Sequence, residues 1–149
     1  TVADDQEKKA IRRRSIAVID ENFETFVKTS IPNLFSNNEK DILEGKIELA
    51  KNIAKSTNKE GVKAAQLGMA ERPDRTEILE NLDAKILIIA GKYDNAVKTE
   101  NLLKIIPEKT NIKTYVLDCG HNGHWEKPTI CAEIINTELL HNLPKHFLL

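Results

Sequence analysis

Apolar residues recur at helical spacing from the start of the chain to about Ala70: Ile11, Val18 and Ile19, then Phe23, Phe26, Val27 and Ile31, then Leu43, Ile47, Ala50 and Ala54. This predicts three or four amphipathic helices. Asp4-x-x-Glu7, Ser36-x-x-Glu39 and Thr57-x-x-Glu60 each place a capping side chain three residues before a Glu, the spacing that marks a helix start. Pro32 interrupts the second stretch, where it removes a helix hydrogen bond and clashes with the preceding turn, so a break is expected there. Val62, Ala65 and Met69 continue the pattern, with Gly61, Ala64 and Gly68 beside them as small residues that allow a neighbour to come close.

The pattern changes at Glu71-Arg72-Pro73-Asp74. Pro73 biases Arg72 away from helix and Asp74-x-x-Glu77 offers a fresh capping box, so a module boundary falls here, between residues 1–72 and 73–149. Two strand-like runs follow, Lys85 to Gly91 and Ile112 to Asp118, separated by Leu102, Leu103, Ile105 and Ile106 at helical spacing. This is a β-α-β unit. Ile86 to Ala90 is continuously apolar, as in a parallel strand covered on both faces, and a last helix is expected from about Pro128 to Leu140. Two strands make a poor parallel sheet, so the class is α/β with an incomplete architecture.

Charge narrows the range of partners. The balance of 22 Lys+Arg against 23 Asp+Glu gives a net charge of -1, which removes any global attraction to nucleic acid or an anionic membrane. The cluster Lys8, Lys9, Arg12, Arg13 and Arg14 is flanked by Asp4, Asp5, Glu7, Asp20 and Glu21, as on a solvent-facing helix. No run approaches the roughly 18 apolar residues of a membrane span, and the first residues lack the basic and apolar pattern of an export signal. Two cysteines, Cys119 and Cys131, do not require a disulfide framework. The expectation is a soluble protein of the reducing cytoplasm. The first residue is Thr rather than Met, which fits processing, disordered ends or a fragment.

In open parallel sheets reactive groups gather beyond the carboxyl ends of the strands. Beyond the first strand lies Gly91-Lys92-Tyr93-Asp94, and beyond the second lies Cys119-Gly120-His121-Asn122-Gly123-His124-Trp125-Glu126-Lys127-Pro128. On adjacent strand ends Asp94 can reach His121 and fix its tautomer while the other ring nitrogen takes a proton, and Gly120 and Gly123 let the loop turn sharply. The spacing leaves open the plainer alternative that Asp94 is a turn residue and His121 a satisfied polar group. His121-x-x-His124 with Glu126 lies in a loop and lacks the helical His-Glu-x-x-His arrangement, so no metal is expected. Cys119, two residues before His121, reads as a small buried hydrophobe rather than a nucleophile, and Cys131 as packing. Neither G-x-G-x-x-G nor G-x-x-x-x-G-K-[ST] occurs, so a glycine-loop phosphate site has no candidate.

Strand, Gly-x-x-Asp, helix ending Ile106-Pro107, strand, Gly-His and Glu-x-Pro opening a last helix is an order that resembles the end of the α/β-hydrolase family. The upstream helices resemble that family's lid, with Leu67-Gly68-Met69 to Asp74 similar to its return into the core. The resemblance implies that Asp94 is the acid and His121 the base of a catalytic triad, with Glu126 and Pro128 supporting the last loop and helix. It also implies a serine acyl-enzyme, an ester or related acyl substrate, and no cofactor. The family's nucleophile sits on a Gly-x-Ser-x-Gly elbow, and none occurs here: Ser15, Ser30, Ser36 and Ser56 are the four serines and none is flanked by glycines. Nucleophile and oxyanion hole are therefore expected outside this chain, on the N-terminal part of the same enzyme or on a second chain completing the sheet. Lys98 stands where many relatives carry proline. The lid's Phe23, Phe26, Phe35 and Met69 would suit a small apolar acyl group. The alternative is a non-catalytic binding module built from the same fold.

Overall fold

The computed structural model describes residues 2–140. They form two compact units: one comprises the described residues up to Asn33 with Asp41–Asn81, the other Leu34–Lys40 with the described residues from Leu82 onward.

The first unit is helical. Helix α1 (Gln6–Glu21) packs along α4 (Lys59–Glu71) and against α2 (Phe23–Ser30), burying Ile19, Val27 and Ala70. Leu43 and Ile47 of α3 (Lys40–Ser56) are also buried, and α5 (Thr76–Asn81) closes the unit. The proline acts as expected, since α2 stops at Ser30 and Pro32–Leu34 forms a 3-10 turn. The caps differ from expectation. Asp5, rather than Asp4, caps α1 by accepting from the Lys8 N–H, and Asn58, rather than Thr57, caps α4 by accepting from Glu60 and Gly61. Asp4 is instead buried and pairs with Arg12 and, at 2.9 Å, with Arg72, which joins the two ends of the unit's sequence. Among the described residues Gly61 and Gly68 serve no close approach: a Cβ at Gly68 would meet nothing within 4 Å, and one at Gly61 only the Asn58 Cβ at 3.9 Å.

The second unit holds the β-α-β element. Strands β1 (Ile86–Gly91) and β2 (Ile112–Leu117) pair in parallel, from Ile86 opposite Ile112 to Gly91 opposite Leu117, with α6 (Thr99–Lys104) between them in sequence. Short α7 (Gly123–Glu126) leads into α8 (Pro128–Ile135), and a π turn over Asn136–Leu140 replaces the last turns of the longer helix expected. Among the described residues the sheet has these two strands. Ala90 and Gly91 are buried, whereas Ile86 to Ile89 are only half-buried, short of the cover on both faces that their composition predicts. No helix among the described residues is long and apolar enough to cross a membrane.

Candidate active site

Both candidate loops leave the sheet at its carboxyl end and are fastened to each other by backbone. The Lys92 N–H donates to the Leu117 carbonyl at 2.8 Å and the Tyr93 N–H to the Cys119 carbonyl at 2.9 Å, so pairing continues beyond the strands. Gly91 allows this approach, since a Cβ there would lie 2.0 Å from the Gly120 carbonyl oxygen. The Gly91 carbonyl then accepts from the Asp94 N–H at 3.1 Å and the Thr99 hydroxyl at 2.5 Å, which closes the turn.

Asp94 and His121 meet. Asp94 Oδ2 lies 2.8 Å from His121 Nδ1, while Oδ1 accepts from the N–H groups of Ala96 and Val97 at 2.7 and 2.8 Å. Asp94 is thus a turn residue and the partner of His121 at once, one oxygen for each. The environments of the two differ: Asp94 is 9% exposed and the His121 side chain 43%. With Nδ1 held by the carboxylate, Nε2 is the nitrogen left to exchange a proton with another group. Lys98 precedes α6 with φ -61°, the value that proline imposes, so the loop turns there as a proline would require.

Glu126 is buried beneath the His121 loop. Its Oε1 accepts from the Gly120 N–H at 2.9 Å and its Oε2 from the Ser36 N–H at 3.1 Å. That contact brings in Leu34–Glu39, which the sequence reading placed among the first helices. Ser36-x-x-Glu39 looks like a capping box, yet the Ser36 hydroxyl accepts from the Asn38 N–H and Glu39 pairs with Lys127 at 2.8 Å. Phe35 is fully buried, edge-on to Trp125 with ring centroids 6.2 Å apart. His124 is exposed, and its ring stands edge-on to Trp125 at 6.4 Å. A polar recess of about 300 Å³ opens beside Asp94, lined by Asn37, Asn38, Lys92, Tyr93 and Lys98 among others, and His121 does not line it.

Burial pushes the Cys119 thiol up to about 11, helped by the charge of Glu126, which makes it a poor nucleophile. Cys131 is also raised by burial, and both thiols are free. Among the described residues no three His, Cys, Asp or Glu side chains converge as metal ligands, and Glu126 spends both oxygens on backbone N–H groups.

No protein-family model and no curated protein matches the sequence. Solved structures do. A thermophilic esterase from Thermogutta terrifontis superposes with a TM-score of 0.84 and 30% identity over 94% of this chain and 52% of that one. The enol-lactonase from Burkholderia xenovorans gives 0.79 and 14%, over 88% of this chain and 50% of that one. An α/β-hydrolase enzyme from a Medee basin deep-sea metagenome library gives 0.76 and 18%, over 97% and 55%. The chain spans about half the length of each. With its parallel pair, its helices and its place within these larger structures, the chain carries the C-terminal part of the α/β-hydrolase fold.

Proposed function

We propose that this chain supplies the acid and the base of a serine-dependent esterase or acyl hydrolase. Residues 1–72 would be its lid, apart from Leu34–Lys40, which group with the second unit, and residues 73–149 the C-terminal part of its core, although Pro73–Asn81 group with the helical unit; residues 141–149 lie outside the described residues. The observation that carries the reading is the 2.8 Å contact between buried Asp94 and half-exposed His121 at adjacent strand ends. Asp94 holds the imidazole as the Nδ1–H tautomer and stabilises the imidazolium; Nε2 takes the proton of the attacking hydroxyl and returns it to the leaving alcohol. The nucleophile and the oxyanion donors come from outside this chain, on an N-terminal part of the same enzyme or on a second chain. The 30% identity to an esterase over nearly the whole of this chain favours an ester as substrate. Two free thiols suit a reducing compartment such as the cytoplasm.

The test is intact mass under denaturing conditions, before and after treatment with a serine-directed fluorophosphonate. A labelled longer chain, or a labelled second chain beside this one, is the expected result. In protein isolated from its native source with its partners retained, a single unlabelled species near 16.8 kDa and no labelled partner would overturn the enzymatic reading in favour of a non-catalytic module.

A further inference from the structure

We infer that Glu126 and the Leu34–Glu39 segment are positioning elements for His121, an inference that rests on reading Asp94 and His121 as an acid–base pair. His121 is bracketed. On its N-terminal side the Gly120 N–H is held by Glu126 Oε1, whose other oxygen holds the Ser36 N–H. On its C-terminal side the Asn122 N–H donates to the Leu34 carbonyl at 3.0 Å. Both neighbours of the histidine are therefore fastened, directly or through one buried carboxylate, to the same short segment.

The contact is backbone against backbone. A Cβ on Gly120 would lie 2.6 Å from the Phe35 carbonyl carbon, 2.6 Å from the Ser36 nitrogen and 2.9 Å from Glu126 Oε1, so the loop and the segment touch with no side chain between them. Phe35 against Trp125 and Glu39 against Lys127 pin the segment further along the same loop. Asp94 fixes the tautomer and one direction of the ring, and it contacts Nδ1 alone. The main-chain position from which the ring projects is set by Glu126 and the segment. Glutamate suits this because both carboxylate oxygens accept, whereas glutamine in the same place would set an NH2 group against one of the two N–H donors.

The experiment is 15N NMR of the imidazoles in the whole chain and in Glu126→Gln, with circular dichroism as the check of fold. The unmodified chain should show His121 as the Nδ1–H tautomer with a slowly exchanging Nδ1 proton. Glu126→Gln should lose that proton signal and drift toward the Nε2–H form that free imidazole prefers. An unchanged His121 in a folded Glu126→Gln chain overturns the positioning role and leaves the pair with Asp94 standing. Absence of the Nδ1–H form from the unmodified chain would remove the pair itself, and the positioning role with it. If Glu126→Gln does not fold, hydrogen exchange of the unmodified chain decides: protected Gly120, Ser36 and Asn122 amides support the bracket, and exchange at the rate of free loop amides overturns it.

Discussion

Gly91 packs against the Gly120 carbonyl at the carboxyl end of the sheet, leaving no room for a side chain at position 91. A methyl group on Gly91 would meet carbonyl oxygens of residues 119 and 120, which are not the free end of a flexible side chain and cannot swing aside. Gly91→Ala should therefore force the two loops apart, at a cost of about 1–3 kcal/mol. The midpoint of urea denaturation reads the loss; an unchanged midpoint would mean that the loops part freely.

On the proposed function, His121→Ala should abolish ester turnover of the assembled hydrolase with the fold intact. Asp94→Asn should keep the turn, because the amide oxygen still accepts from Ala96 and Val97. Its NH2 group then faces His121 Nδ1 and favours the wrong tautomer. The loss in kcat should be on the order of 10⁴, as for the corresponding change in serine proteases. Steady-state kinetics on a simple ester checks both, and full activity in His121→Ala would sink the assignment.

Cys119 should react far more slowly with iodoacetamide at neutral pH than an exposed cysteine does. It is buried, and with a thiol raised to about 11 it is almost wholly protonated there. The same shift ties it to stability. The unfolded chain ionises this thiol at its ordinary value while the folded chain keeps it neutral, so stability is full below that value and falls as pH rises from it toward about 11. Rapid alkylation in native buffer, traced to Cys119 by peptide mass, would contradict this burial.

Asp4 gives the opposite slope at the acid end. Burial alone would raise its carboxyl, but the hydrogen bond and charge of Arg12, with the charges of Arg72 and Lys8, outweigh it and hold the group below its usual range. Its contribution is present above the unfolded carboxyl's value and is lost as pH falls through the lower folded one. Asp4→Asn should cost about 1.5–3 kcal/mol, since hydrogen bonds to charged groups are lost and the Arg72 Nε is already buried with no partner among the described residues. The variant should also show a flatter decline in stability below about pH 4; a decline as steep as that of the parent chain would assign the acid sensitivity to other groups.

Local signals carried the sequence reading as far as local physics reaches. The strand-like runs from Lys85 and from Ile112 located both strands to within a residue, because β pattern and flanking turns are written in neighbouring positions. The Gly-x-x-Asp and Gly-His turns placed Asp94 and His121 at adjacent strand ends by topology, and the two side chains meet there at 2.8 Å. The caps were displaced by one residue at Asp5 and Asn58, since Asp4 and Thr57 have equal local claims and, for Asp4, tertiary pairing with Arg72 decided. Ser36 was beyond such reading. Its backbone partner is Glu126, ninety positions away, and a capping-box spacing masked a segment that belongs to the other unit.

The half-covered first strand has a consequence for handling the polypeptide. Ile86 to Gly91 holds no charge and no proline, pairs along one edge only among the described residues, and leaves its isoleucines partly open to water. Such a stretch is a template for cross-β growth once chains crowd together. Produced alone, the chain should precipitate in proportion to its concentration, and a strand paired along that open edge should restore its solubility.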